Sequence, residues 1–339
     1  MKIFPLIFIL LITIKFEGFS QLITDERKAR IAFYNVENLF DNEADTIINY
    51  NQYDPHGDHN WTNYRYHKKL IRIYKVLVAM GQKHLPALVG LAEVENEKVL
   101  NDLLNLTPLK YSDYKIIHYE SGDHRGIDVA LLYNKEIFKI LFSEPIHIKN
   151  DNGKLMATRD ILYVKGILAS DTIHFFVNHW PSPYGGLMKT EPKRRLAATI
   201  LGRKIDSVFN TNKNAKVIVM GDFNEGENGK AIAHLVNITG KNNLLPINYQ
   251  PLYRKSEGSI KHKQKWFLFD RFLLSASLVN KKKIPFVKGK TFYIFDEGFL
   301  LKKDEKYGGW KTNRTYNGFK YNGGFSDHLP VFIDLYGLN

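Results

Sequence analysis

Cysteine is absent from all 339 residues. That excludes disulfides and lipid attachment through a cysteine, and it leaves no thiolate to draw a soft metal. Long apolar runs are scarce as well. The extended one is Ile3 to Ile14, behind Met1-Lys2 and ahead of Gly18-Phe19-Ser20. It is too short to cross a bilayer comfortably, and small residues stand where a signal peptidase cuts. Residues 1–20 therefore read as a cleaved export signal, and the protein as periplasmic or extracellular. Repeats and low-complexity linkers are missing too. Residues 21–339 are expected to form one domain.

Acidic residues are the minority charge: 35 Asp and Glu face 48 Lys and Arg, for a net charge of +13. Loss of Lys2, Lys15 and Glu17 with the signal leaves +12. Such a balance attracts polyanions, whether nucleic acid, anionic lipid or acidic polysaccharide. With 44% apolar residues the chain can bury a substantial core.

Apolar, strand-like runs repeatedly end in, or enclose, a single polar group. Ile31-Ala32-Phe33-Tyr34 leads to Asn35, Leu88-Val89-Gly90-Leu91-Ala92 to Glu93, and Phe175-Phe176-Val177-Asn178 to His179. Val217-Ile218-Val219-Met220 leads to Gly221-Asp222-Phe223-Asn224, Asp270 interrupts Phe267 to Leu274, and Ser326-Asp327-His328 precedes Leu329-Pro330-Val331-Phe332. Rigid strands that carry polar groups to a sheet edge are how a hydrolytic site is commonly assembled. Six such places in one chain point to a shared pocket.

Between them, Tyr66, Leu70, Ile73, Tyr74, Leu77 and Met80 recur at helical spacing over 64–80, with Lys68, Lys69 and Arg72 in the remaining positions. Further helices are expected over 96–106 and 191–209, the latter with Pro192 in its first turn. Strands are expected over 114–118, 127–133, 160–168, 172–178, 216–220, 267–274 and 331–335. Many strands and few helices fit an α/β sandwich with helices outside paired sheets. Residues 41–63 and 280–325 read as long surface loops.

Asn35, Glu93, Asp222, Asn224 and Asp327 are hard oxygen donors, suited to Mg²⁺ or Mn²⁺. Such an ion beside two histidines supplies what phosphate-ester cleavage needs: charge neutralisation, a base for water and a group for the leaving oxygen. Through Gly221-Asp222-Phe223-Asn224 and Ser326-Asp327-His328, in that order, the chain resembles the endonuclease/exonuclease/phosphatase superfamily. The resemblance covers nearly the whole of 21–339. It implies the fold of pancreatic-type deoxyribonuclease, a four-layer αββα sandwich of two mixed sheets. It also implies that Asn35, Glu93 and Asp327 lie at the metal, and that Asp222 and Asn224 handle the attacking water and the phosphate. His328 would be paired with Asp270, His179 would be a second catalytic histidine, and Arg159 would approach substrate phosphate. Asp128 is expected to orient His179. His56, His59, His67, His118, His124 and His262 read as surface or packing histidines.

The substrate is left to the loops. Lys302, Lys303, Lys306, Lys311, Arg314 and Lys320 alternate with Tyr307, Trp310, Tyr316, Phe319 and Tyr321, which suits nucleic acid, the preferred substrate. Phe292-Tyr293-Ile294-Phe295 with Phe299-Leu300-Leu301 offers an apolar surface to membrane lipid, which keeps a sphingomyelinase-like activity as the alternative. An inositol-phosphate phosphatase and an inert polyanion-binding module rank lower. No protein partner is implied.

Overall fold

The computed structural model describes residues 28–43, 52–240, 243–280 and 284–338. The proposed export signal and part of the 41–63 loop lie outside the described residues. Two sheets dominate. The first runs in the order Asn248–Pro251, Thr291–Ile294, Val331–Tyr336, Lys28–Leu39, Leu88–Val94, Asp128–Asn134 and Tyr114–His118, with Phe286–Val287 also paired to Val331–Tyr336. The second runs Phe138–Ile146, Ile161–Leu168, Asp171–His179, Lys216–Asp222, Asp270–Ser275 and Leu244–Pro246. Each sheet is mixed: Lys28–Leu39 and Leu88–Val94 are parallel, as are Asp171–His179 and Lys216–Asp222.

Strand periodicity assigns the layers. In the second sheet Phe175, Val177, Ile218, Met220, Phe272 and Leu274 pack toward the first sheet, in one core. Their alternates Phe176, Val217, Val219 and Leu273 face the helices Leu187–Thr211 and Lys230–Thr239, in a second core. This is the two-residue alternation of a sheet buried on both faces. The helices Asn63–Gly81 and Glu97–Asn105 cover the first sheet. With the short helix Ala276–Val279, this is the expected sandwich of two mixed sheets between helices.

Several details differ from the sequence reading. The third helix begins at Leu187, so Pro192 lies inside it rather than in its first turn. The helix is started by Gly185 and Gly186, whose φ values of 86° and 119° reverse the chain. Lys69 belongs to the buried face: it is three residues from Tyr66 and only 1% exposed. Its Nζ donates to Thr315 Oγ1 at 2.6 Å and to Phe325 O at 2.7 Å. The supposed surface loop 280–325 contains short strands and much core: Phe292, Ile294, Phe295, Leu300 and Leu301 are all buried. The apolar surface offered to lipid is therefore mostly interior, apart from the half-buried Tyr293 and the exposed Phe299.

Candidate active site

The periodicity that builds the core also builds the site. His179 continues the inward-facing series Phe175, Val177; Asp222 continues Ile218, Met220; Asp270 precedes Phe272, Leu274. Register then aligns them, because His179 pairs with Asp222 and Asp222 with Asp270. Three polar groups stand side by side in one row, at the end of the second sheet's inner face. Gly221 permits this: a Cβ there would lie 2.3 Å from Asn178 O.

The first sheet supplies the facing groups. Asn35 follows Ile31 and Phe33 on the inward side, whereas Glu93 is out of phase with inward-facing Gly90. A bulge corrects the phase. Ala92 pairs with Val129 and Val94 with Asp128, so Glu93 is the extra residue, at φ 63°. A second irregularity lies between Asn35 and Leu39, where Glu37 and Asn38 have φ of 56° and 53°. Bulges of this kind re-aim side chains at functional edges.

Contacts close the cluster. Asn35 Nδ2 donates to Asp222 Oδ2 at 3.1 Å and to Glu93 Oε1 at 3.5 Å. His179 Nε2 lies 3.6 Å from Asp222 Oδ2 and 4.0 Å from Glu93 Oε1. His328 Nδ1 is hydrogen-bonded to Asp270 Oδ2 at 2.6 Å, and its Nε2 faces Asp222 Oδ2 at 3.8 Å. Ser326 ties this turn to the first sheet by donating to Asn35 O at 2.8 Å. Asn224 N donates to Asp222 Oδ1 at 2.8 Å, while Asn224 Nδ2 donates to Trp180 O at 2.9 Å. Asp327 turns to Arg314, whose Nη2 donates to it at 2.9 Å.

The two histidines have opposite surroundings. Burial drives His179 well below the usual imidazole range, and Arg159, Arg125 and His328 push the same way. Burial also disfavours the imidazolium of His328, but Asp270 and Asp222 overcome it and hold that ring well above its usual range. Burial pushes the Asp222 carboxyl up to about 7, with Asp270 adding and His328 opposing. Burial works against charge on Asp327 too, but Arg314 and His328 outweigh it and keep this carboxyl below its usual range.

Two sequence expectations land elsewhere. Asp128 does not reach His179 as an orienting group; its Oδ2 lies 3.5 Å from His118 Nε2, and His179 Nδ1 has no hydrogen-bond partner among the described residues. The strand register explains this, since Asp128 leads a strand paired with the one ending at His118. Arg159 is buried, with one Nη on Asp123 at 2.8 Å and the other on Trp180 O at 2.9 Å. The partly exposed guanidinium groups at the site are those of Arg125, 3.5 Å from Glu93 Oε2, and Arg314, which also donates to Glu37 Oε1 at 3.0 Å. The sequence marked Arg314 only as one of the cations of 302–321 and gave no role to Arg125, Glu37 or Lys69. The helical spacing of Lys69 from Tyr66 was the one available signal.

The donor set suits a divalent cation. Glu93, Asp222 and Asp270 bring carboxylate oxygens together, Asn35 Nδ2 bridges Glu93 and Asp222, and ligand atoms of Asp222, Asp270 and His328 lie within 4.8 Å of one another. Neighbouring buried carboxylates are unfavourable without a compensating positive charge.

The sequence profile described as the endonuclease/exonuclease/phosphatase family matches residues 30–336. No curated protein matches the chain. Among solved structures, a protein of that family from Bacteroides thetaiotaomicron is 16% identical with a TM-score of 0.56, covering 92% of this chain and 99% of its own. Truncated TDP2 from Caenorhabditis elegans is 16% identical with a TM-score of 0.52, covering 91% and 98%. The mannosyl-6-phosphatase of B. thetaiotaomicron is 16% identical with a TM-score of 0.55, covering 91% and 100%. At these identities the likeness is one of fold.

Proposed function

The chain belongs to the endonuclease/exonuclease/phosphatase family and is a metal-dependent phosphoesterase, and within that class we propose that it cleaves phosphodiester bonds in nucleic acid, with Mg²⁺ or Mn²⁺ as the ion. Glu93 and Asn35 would hold the ion, with Asp327 on the same side. When bound, the ion supplies charge neutralisation at the phosphoryl oxygens. Asp222, raised to about 7, is matched to taking a proton from water near neutral pH. His328, kept cationic by Asp270, donates through Nε2 to a phosphoryl oxygen and stabilises its growing charge. His179, kept neutral, lies on the opposite side of Asp222 and orients the attacking water or the leaving oxygen. Asn224 fixes Asp222 through its backbone N–H.

One observation carries the choice of substrate. The basic and aromatic segment 302–321 is tied to the site through Arg314, which bridges Glu37 and Asp327. Trp310 and Phe319 remain exposed there, and Arg65 lies 4.5 Å over the Tyr321 ring. A strand of nucleic acid crossing the catalytic row would meet cations for its phosphates and rings for its bases. The lipid alternative loses its main support, because most of the apolar residues that suggested it are core. Export to the periplasm or beyond is part of the same proposal and rests on the N-terminal sequence alone.

The test is hydrolysis of plasmid DNA, structured RNA, sphingomyelin vesicles and a sugar 6-phosphate in parallel, with Mg²⁺, Mn²⁺ or EDTA. Metal-dependent nicking of DNA or RNA is expected. The Trp310→Ala/Phe319→Ala variant should raise KM for the polymer about tenfold or more and leave turnover of a small aryl phosphodiester unchanged. Turnover of the sugar phosphate or the lipid with nucleic acid left intact would overturn the assignment.

A further inference from the structure

A second cluster lies outside the catalytic row. Strands Tyr114–His118 and Asp128–Asn134 pair antiparallel, with His118 opposite Ala130. Continued two residues, that register sets Glu120 opposite Asp128, with His118 on the same face. Two carboxylates opposed across a ladder repel each other unless a cation lies between them. Nothing in the folding of a hairpin requires this arrangement.

The side chains add an independent observation. His118 and Asp128 are each 3% exposed at the side chain, and their Nε2 and Oδ2 are 3.5 Å apart, too far for a good hydrogen bond. His118 Nε2 is buried without a hydrogen-bond partner among the described residues. A buried ring nitrogen left so is unfavourable. Glu120 Oε1 lies 3.9 Å from His118 Nδ1, and its side chain is 68% exposed. One ligand atom from each of the three residues falls within 4.8 Å of the others. Asp128 is already oriented, since its Oδ1 accepts from Ser121 N at 3.1 Å.

We propose that His118, Glu120 and Asp128 form a second metal site, for a borderline divalent ion of the Zn²⁺ type, separate from the hard-ion centre at Glu93. One imidazole and two carboxylates, with water in the fourth position, is a common Zn²⁺ ligand set. Imidazole favours such an ion over Mg²⁺. The site closes the base of loop 119–127. That loop carries Asp123, which binds Arg159, and Arg125, which reaches Asn38 and Glu93. An ion here would act as a clip that holds Arg125 against the active site and removes freedom from the loop.

The experiment titrates Zn²⁺ into the EDTA-stripped full chain by calorimetry, with millimolar Mg²⁺ present to occupy the hard-ion centre. One equivalent is expected to bind to wild type and to Glu93→Gln alike, and to be lost in His118→Ala and Asp128→Asn. Glu120→Gln changes an exposed side chain and cannot unfold the protein; it should raise the Zn²⁺ Kd about tenfold or more. Zn²⁺ should also raise the Tm of wild type but not of His118→Ala. Absence of a Zn²⁺ equivalent in wild type, or an unchanged Kd in Glu120→Gln, would overturn the proposal.

Discussion

Replacing Asp270 with Asn keeps the size of the side chain and removes one charge from the strongest contact in the site. The hydrogen bond to His328 is 2.6 Å long, with side-chain exposures of 6% for His328 and 0% for Asp270. Breaking such a buried pair costs roughly 3–5 kcal/mol. Charged against the imidazolium, that loss lowers the His328 pKa. A ring now held well above its usual range would lose the main group that holds it there. The imidazolium would be less populated at neutral pH, and kcat should fall about 10²-fold or more, within the span for losing an acid or base. Activity of Asp270→Asn should recover about tenfold per unit as pH falls toward the new pKa. The sign for stability follows as well. His328 has a raised folded-state pKa, so its stabilisation is complete below its unfolded pKa and is lost as pH rises through the raised value. Asp270→Asn should flatten that alkaline loss. The assays are kcat against pH on an aryl phosphodiester and an NMR titration of the His328 ring. Near-normal kcat at pH 7, with the ring titrating as in wild type, would refute the pairing as the source of the cation.

Asp222→Asn should abolish turnover yet stabilise the metal-free protein. Its carboxyl is raised from 3.8 to about 7, so the folded state resists the charge that Asn never carries. The gain at pH 7 is of the order of 2–4 kcal/mol, read as a higher Tm by scanning calorimetry; a lower Tm would contradict it. Gly221→Ala should do the reverse. Its Cβ would meet Asn178 O at 2.3 Å, and the neighbouring strands must separate. A loss of about 3 kcal/mol in urea unfolding is expected, with weaker catalysis as His179 and Asp222 part; an unchanged midpoint would show that the strands yield freely.

The strand-borne half of the site was legible because a buried strand is apolar on both faces. A polar group at its end, such as Asp222 after Met220, therefore stands out, and the register that aligns it with His179 and Asp270 follows from ordinary pairing. What could not be read came from breaks in period. Glu93 faces the site only because a bulge shifts it by one residue, and periodicity alone would have turned it outward. Lys69 sits on an apolar stripe, where its charge suggested the opposite face. The helix Lys230–Thr239 and the edge strand Phe138–Ile146 escaped notice, the strand because exposed residues such as Leu141 and Phe142 blur its alternation. Asp128 was assigned to His179 by resemblance, and the hairpin register gave it to His118 instead.

The catalytic row owes its chemistry to an asymmetry that the sheets impose. His179 and His328 flank the same carboxylate, Asp222, at 3.6 Å and 3.8 Å, so distance to it cannot distinguish them. Their other neighbours do. The strand carrying His179 ends beside Arg159 and Arg125, whereas the turn carrying His328 lies over Asp270. Two rings of the same intrinsic basicity are thereby separated into a neutral one and a cationic one at a single pH, with a carboxyl of intermediate affinity between them. Paired groups driven apart in this way define acid and base without any change of residue type. The left-handed backbone at Glu37, Asn38, Glu93 and Asn224 lies around the same row, at strand ends where two packed cores can hold such conformations. Strain, bulges and opposed charges thus converge on one edge of the sandwich, and an approaching phosphate would add the negative charge that the cationic His328 is placed to meet.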